Sequence, residues 1–507
     1  MKKLARDVVI IAAATAASRL FGLFRDVVIA DRFGAGAAYD AYLVAFFIPH
    51  FLRRLLAEGA LALAFIPIYT EYLENDQREA NRLASNALTL LLLLFPAVII
   101  VGIMLAPSYI PFLASGFPPS QQQLTIQLTR VIFPFIGFIG LAALVMGILN
   151  AHRHFFAPAF APVFFNLGVI SGALFLGAHF SRPVFGLATG VLIGGLGQLL
   201  FQVPFLRRFD FTPSFRLFPI HPGLKRAFHL MVPVIVGLIA AQVNVMVDNK
   251  LASYLAEGSI SSLQYAMRLF QLPLGLFAVA ISTAILPRLS GKWAQGQEKE
   301  FSETFRSGLT IALFIIIPAA LGLWLLGEPI VKLLFEHRSF TARDTARTVY
   351  VLNLYLIGLV GYSLVHLFTR AFYSLQKTMI PVAAGISAVA VNVGLDLLLI
   401  EPMGVGGLAL ATAVSGLVNG VILFVAFGRQ VAQGDYLPRV PDLGKIVLST
   451  ALMGGVVWGV KAGVGRLGWG EFALVLCPIS AGIAAYFCCS YFLGLEGLWK
   501  KAVKGAG

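Results

Sequence analysis

The sequence predicts an all-α polytopic membrane protein with about fourteen transmembrane helices. They form two pseudo-symmetric six-helix lobes, with two extra helices at the C-terminal end. Three observations carry this. Apolar runs of roughly 20 residues, each matching the ~30 Å hydrocarbon core of a bilayer, recur from end to end. The chain is 58% hydrophobic and only 12% charged, where a soluble domain is about 25% charged. Finally, the sequence repeats itself at an offset of roughly 220 residues. A β-barrel would need alternating segments of about 10 residues, and none stands out.

The expected spans lie near 8–30, 40–70, 85–106, 129–150, 158–178, 183–206, 228–250, 263–287, 308–327, 348–370, 379–400, 405–427, 444–463 and 471–494. Span two is long and holds Pro49 and Pro67, which mark it for a bend. Span eight, with Arg268 and Pro273, is the weakest by hydropathy. The basic start followed by an Ala-rich stretch imitates a secretion leader. The apolar run continues through Arg19 to Ala30, so it is expected to stay as a span.

Positive charge sets the orientation, because cytoplasmic loops keep Lys and Arg. With Lys2, Lys3 and Arg6 placed inside, more than half of the 38 Lys and Arg fall on that side. They include Arg207, Arg208, Arg216, Lys225 and Arg226 after span six, and Lys500, Lys501 and Lys504 at the end. An even span count then puts both termini in the cytoplasm. The net charge of +14 reads as anchoring at the inner leaflet, not as nucleic-acid binding.

The repeat is visible in short echoes. Ala64-Phe65-Ile66-Pro67 returns as Ala284-Ile285-Leu286-Pro287, and Ala87-Leu88-Thr89-Leu90 as Gly308-Leu309-Thr310-Ile311. Asn166-Leu167-Gly168-Val169 returns as Asn392-Val393-Gly394-Leu395, and Gly186-Leu187-Ala188 as Gly407-Leu408-Ala409. Six spans per repeat is an even number, so both halves start from the same side of the membrane. That implies a pseudo-two-fold axis along the membrane normal and a central cavity, the layout alternating access requires. The expected divisions are 1–220, 221–440, and an appendage at 441–507.

Charge buried in spans points to function. The first two spans carry Arg19, Arg25, Asp26, Asp40, Arg53, Arg54 and Glu58. An ionised side chain at the bilayer centre costs roughly 2.5–3.5 kcal/mol on insertion scales, so it faces a wet cavity or a partner. Four arginines against three carboxylates leave positive charge in excess, and Arg268 adds to it. Guanidinium forks onto phosphate oxygens, so Arg19, Arg25, Arg53 and Arg268 suit a phosphate or pyrophosphate. Internal pairing is the alternative: Arg25 with Asp26 or Asp40, Arg54 with Glu58. Gly22, between Arg19 and Arg25, is a place for the helix to loosen.

A second constellation lies toward the C-terminal half. Asn392 and Asp396 stand i,i+4 on an otherwise apolar span and share one face. With Asp248 and Thr412 they offer oxygens to Na⁺, a carboxylate pair to a proton, or hydrogen bonds between helices. Residue spacing leaves these alternatives open. There is no Walker A loop and no His-Glu-x-x-His motif. His152 and His154 fall on a cytoplasmic turn and read as interfacial. Cys477, Cys488 and Cys489 all lie in the last span and read as small core residues. A membrane enzyme acting on polyprenyl phosphates is the competing class. It would show acidic or histidine clusters at a membrane face.

The run Ala17-Ser18-Arg19-Leu20-Phe21-Gly22-Leu23-Phe24-Arg25-Asp26 resembles the first helix of the MviN family, the MurJ lipid II flippases of the MOP exporter superfamily. Phe33-Gly34-Ala35-Gly36, Asp40-Ala41, Pro49, and Leu52-Arg53-Arg54-Leu55-Leu56-Ala57-Glu58-Gly59-Ala60 continue the likeness, and it extends over the whole chain. The resemblance implies two six-helix lobes in a V, with the appended pair forming a groove for a lipid tail. It implies movement of lipid II, an undecaprenyl-pyrophosphate disaccharide-peptide, to the outer leaflet of the bacterial cytoplasmic membrane for cell-wall synthesis and cell shape, next to the cell-wall synthesis machinery. It places substrate binding on Arg19, Arg25, Asp40, Arg53 and Arg268. It places a Na⁺ site on Asp248, Asn392, Asp396 and Thr412 with a backbone oxygen near Leu408, so that Na⁺, H⁺ or membrane potential resets the cycle. Two positions depart from the pattern of some members. Met267 precedes Arg268 where they carry an acid, and Gln271 replaces a carboxylate. Other MOP transporters, a polysaccharide-lipid flippase or a cation-coupled drug exporter, are the alternatives. A drug exporter would want an acidic cavity.

Overall fold

The computed structural model describes residues 2–55, 61–209, 211, 214–215, 218–431, 435–495 and 497; side chains are described for these except 2–10, 12, 61–63 and 233–241. The described residues are helical throughout, without a strand. In chain order the helices are α1 Lys2–Phe33, α2 Ala37–Arg53, α3 Leu61–Asn75, α4 Gln77–Leu113, α5 Pro119–Ile132, α6 Phe135–Ala151, α7 Phe156–Phe160, α8 Pro162–Leu174, α9 Val184–Leu206 and α10 Pro222–Ala252. There follow α11 Ser259–Pro273, α12 Val279–Ala294, α13 Glu298–Phe335, α14 Ala342–Ile357, α15 Leu359–Ser374, α16 Met379–Met403, α17 Val405–Gly428, α18 Val440–Arg466 and α19 Glu471–Phe492.

Among the described residues ten helical segments are long and apolar enough to cross a membrane, and the bent pair α14–α15, which turns by 45°, makes eleven. The other expected spans, 8–30, 40–70 and 228–250, fall on α1, on α2 with α3, and on α10. Each includes positions outside the described side chains, so the count of fourteen is not established. Pro49 and Pro67, which mark span two for a bend, lie inside α2 and α3; residues 56–60 between these helices, Glu58 among them, lie outside the described residues. Gly22 does not break its helix, because α1 runs unbroken across it. Pro273 ends α11 in a π-helical turn, Leu274–Ala278, that leads into α12. A proline cannot donate to the carbonyl four residues back, and the wider turn absorbs the misfit.

The chain divides into two compact units. The first is Met1–Ser261 with Arg338–Phe340, and the second is Ser262–His337 with Thr341–Gly507. Inside each, the same pairs pack. In the first, α3 lies on α4 and α6, α4 on α6, α6 on α9, and α8 on α9. In the second, α12 lies on α13 and α15, α13 on α15, α15 on α17, and α16 on α17. The repeat seen in the sequence is thus a repeat of packing. Helix α10, at the start of the second repeat in sequence, packs on α3 and α4 of the first unit.

Helices in lipid gain little from burial against one another, so close approach of small residues does much of the joining. Gly168 and Gly172 on α8 meet Gly186, Gly190 and Gly194 on α9. A Cβ on Gly168 would stand 2.3 Å from the Gly194 Cα. Polar ends are stapled. Asp76 caps α4 by accepting from Arg78 N at 2.7 Å. Thr341 and Asp344 form a capping box on α14. His221 caps α10 through Gly223 N at 3.1 Å and reaches Glu79 at 3.2 Å. His152 contacts Tyr69 Oη at 3.3 Å and stacks on Phe209, while His154 packs on Phe205. Burial lowers the pKa of both imidazoles, and the charge of Arg208 lowers that of His154 further.

The appended pair α18–α19 docks on α13 through two carbonyls that prolines release. Pro318 and Pro329 interrupt the α13 ladder, which frees Phe314 O and Leu325 O, four residues before each. Tyr486 Oη on α19 donates to Phe314 O at 2.6 Å, and Lys461 Nζ on α18 donates to Leu325 O at 3.0 Å. An ion pair between Lys332 and Glu471 at 2.6 Å adds a third tie. Tyr486→Phe strands a buried carbonyl, at a cost of about 1–3 kcal/mol. The expected result is a lower melting temperature in detergent with unchanged membrane insertion. An unchanged melt would show that the docking does not depend on this bond.

Candidate substrate and cation sites

In the first unit the charged residues are held in different ways. Arg25 is half-buried on α1. Its Nη2 and Nε donate to Asp26 Oδ1 at 2.6 and 3.0 Å, and its Nη1 donates to Asn166 Oδ1 on α8 at 3.1 Å. Asn166 in turn donates from Nδ2 to the Ser18 carbonyl at 3.2 Å. Arg25 therefore sits in an internal pair with Asp26, the alternative its sequence neighbourhood left open. It also gains a partner that the sequence reading had used only as a mark of the repeat. Arg19 is exposed on α1 and has no hydrogen-bond or ion-pair partner among the described residues. Arg53 ends α2 half-buried, with its Nε in the interior, and the adjacent Arg54 is exposed. Neighbours on a helix point about 100° apart, which separates the two.

Asp40 is buried in the first turn of α2, 2% exposed, and its carboxylate caps the start of α11. Oδ2 accepts from Gly258 N at 2.7 Å, and Oδ1 accepts from Ser261 N at 2.8 Å and from the Ser261 hydroxyl. A carboxylate on the unsatisfied amides of a helix N-terminus is favoured by both hydrogen bonding and the helix dipole. Asp40 thus binds protein donors, and its chemistry here is that of an anchor. No local pattern could reveal this, since its partners lie more than 200 positions along the chain.

Asp248 is half-buried on α10 in the first unit. In the second unit Arg268 is half-buried on α11, with Nε in the interior. Asn392 and Asp396 lie in the interior of α16, 1% and 0% exposed. Both polar atoms of the Asn392 amide are buried without a hydrogen-bond partner among the described residues. Thr412, on the packed neighbour α17, donates to Leu408 O at 3.0 Å, which leaves the hydroxyl lone pairs free to accept. A buried amide with nothing to bond is costly, at about 1–3 kcal/mol. A bound cation on Asn392 Oδ1 would remove part of that cost. The donor set is all oxygen, which fits a hard cation such as Na⁺. Among the described residues no group of three or more His, Cys, Asp or Glu is placed to hold a metal ion, so a cation here would depend on the amide and hydroxyl oxygens of Asn392 and Thr412 as well.

The second unit also holds a cavity of about 570 Å³ between α13, α14 and α18. Ile317, Leu321, Trp324, Ile357 and Val447 line it, with Asn353 as a polar member.

Repeated helical units with guanidinium and carboxylate groups set into their apolar helices have the make-up of a multi-pass membrane transporter. A multidrug resistance MATE family transporter of the MOP superfamily, in an inward-facing conformation, shares the fold, with a TM-score of 0.69 at 16% identity over 84% of this chain and 98% of that one. The solved lipid II flippase MurJ in its inward closed conformation superposes with a TM-score of 0.82 at 29% identity, over 96% of this chain and 99% of that one. The model of the family described as lipid II flippase MurJ matches residues 29–477. The probable lipid II flippase MurJ of Vibrio cholerae is 35% identical over 98% of this chain and 97% of its own. The lipid II flippase MurJ of Burkholderia cenocepacia is 35% identical over 84% and 83%. The chain belongs to the MurJ family of lipid II flippases. It is accordingly a transporter and not an enzyme, a multi-pass protein of the bacterial inner membrane whose substrate is the lipid-linked precursor of peptidoglycan.

Proposed function

We propose that this flippase moves lipid II by alternating access, with Arg19, Arg25, Arg53 and Arg268 meeting the pyrophosphate. The observation that carries the reading is the Arg25 guanidinium. It lies on α1, the first expected span, is pre-oriented by Asp26 and Asn166, and is permanently charged. Capture in the inward-open state neutralises the diphosphate and allows closure, and opening outward releases the headgroup. Asp40 serves this cycle by holding α2, and with it Arg53, against the start of α11. The apolar cavity beside α18 supports a path for the isoprenoid tail, which is the role we assign to residues 441–507, following lobes at 1–220 and 221–440. The excess of Lys and Arg in alternate loops supports cytoplasmic termini. The cell-wall synthesis machinery is the expected partner.

The orphaned Asn392 amide supports Na⁺ as the coupling ion. Asn392, Asp396 and Thr412 supply ligands, and Asp248 adds a carboxylate. Proteoliposomes with and without an inward Na⁺ gradient test this by lipid II translocation. Wild-type protein should respond to the gradient several-fold, and Asn392→Ala should lose most of that response while keeping its basal rate. A wild-type rate indifferent to Na⁺ would overturn the cation reading and leave the diphosphate reading standing.

A further inference from the structure

Asn166 touches α1 at two places. Ser18 and Arg25 are seven residues apart, almost two full turns, so they share the face of α1 that meets α8. The amide orientation follows from chemistry. A guanidinium only donates and a carbonyl only accepts, so Oδ1 faces Arg25 and Nδ2 faces Ser18. Between the two contacts stands Gly22, whose missing Cβ would lie 3.8 Å from Asn166 Nδ2. Asn166 is 6% exposed, so both bonds form out of water.

The repeat supplies an internal control. Asn392 holds the matching position on α16 and is also buried, yet its amide has no hydrogen-bond partner among the described residues. Packing of the α8–α9 or α16–α17 pair therefore does not itself require a hydrogen-bonded asparagine at this register. What Asn166 bonds to is specific to the first unit: Arg25 and the backbone of the helix that carries it.

We propose that Asn166 is a positioning residue for substrate capture. It aims the Arg25 guanidinium and ties that aim to the backbone of α1 on the far side of Gly22. A diphosphate that takes over Arg25 Nη1 removes one of the two bonds between Asn166 and α1. Substrate binding then loosens α1 from α8 at the one glycine between the contacts, which couples capture to helix movement. The proposal rests on Arg25 meeting the diphosphate.

The test compares Asn166→Ala, Asn166→Asp and Arg25→Ala in proteoliposomes, by the lipid II concentration for half-maximal translocation and by the maximal rate. Asn166→Ala loses both bonds, so it should raise the half-maximal concentration about tenfold, as loss of a hydrogen bond to a charged group does, and should also change the maximal rate as far as Asn166→Asp does. Asn166→Asp keeps an acceptor for Arg25 and should stay within about threefold of wild type in half-maximal concentration. Asp cannot donate to Ser18 O, so its effect should appear in the maximal rate. A residue that only packs would give no such split, and the buried carboxylate would be the worse variant. Should Asn166→Ala not accumulate in the membrane, Asn166→Ser removes the same pair of contacts with a polar side chain. If Arg25→Ala raises the half-maximal concentration and neither Ala nor Ser at 166 does, the positioning role is wrong. If Arg25→Ala leaves it unchanged, the reading of Arg25 itself is wrong.

Discussion

Lipid II translocation by Arg25→Ala is expected to fall at least about 100-fold, and Arg53→Ala should fall by a comparable order. A hydrogen bond to a charged group contributes about 1.5–3 kcal/mol, so a forked contact of two accounts for such a loss. Arg25→Lys keeps the charge but not the fork and should retain an intermediate rate. The alanine variant has a second effect that must be separated from the first. Asp26 is 6% exposed and loses the guanidinium that neutralises it. Removing one partner of a buried ion pair costs about 3–5 kcal/mol. Arg25→Ala combined with Asp26→Asn removes the carboxylate charge that Arg25 balances. The pair should recover thermal stability and insertion and still fail to translocate. If Arg25→Ala and Arg53→Ala, inserted at wild-type levels, both transport fully, the arginine site does not exist.

Much of this architecture could be read from residue order because a bilayer imposes a length and a polarity on each helix. Eleven of the expected spans fall on described segments long and apolar enough to cross a membrane, and the echo of Ala64-Phe65-Ile66-Pro67 in Ala284-Ile285-Leu286-Pro287 reappears as matching α3–α4 and α12–α13 pairs. Buried charge was legible for the same reason, since Arg25 and Asp396 stand out against apolar neighbours. What sequence could not show was which donor meets which acceptor across long separations. Arg25 reaches Asn166 across 141 positions, and Asp40 reaches Ser261 across 221. The docking of α18–α19 was hidden too, though its cause is local: Pro318 and Pro329 each free a carbonyl that only a neighbouring helix can satisfy. A signal for Asn166 did exist. It is a lone amide in an apolar span that recurs at Asn392, and a recurring polar residue in lipid needs either a partner or a ligand.

Asp40→Ala is expected to destabilise the protein more than it weakens substrate binding. The carboxylate accepts from two backbone amides and one hydroxyl at the start of α11, all buried. Alanine leaves Gly258 N and Ser261 N without this acceptor. A lost cap costs about 0.5–2 kcal/mol, and each stranded buried donor about 1–3 kcal/mol. A total of about 3–5 kcal/mol lowers the melting temperature of a chain this long by about 3–5 °C. Asp40→Asn keeps a carbonyl oxygen but not the charge that the helix N-terminus favours, so it should fall between alanine and wild type. Ser261→Ala removes only the hydroxyl and should cost about 1 kcal/mol. The order Asp40→Ala, Asp40→Asn, Ser261→Ala in decreasing damage is what an anchor requires, read by thermal unfolding in detergent. Translocation should follow the same order, because Arg53 lies about 20 Å further along α2 and takes its position from the end that Asp40 fixes. A wild-type melt for Asp40→Ala, combined with a raised half-maximal lipid II concentration, would return this carboxylate to the substrate site and leave the start of α11 to be held by other contacts.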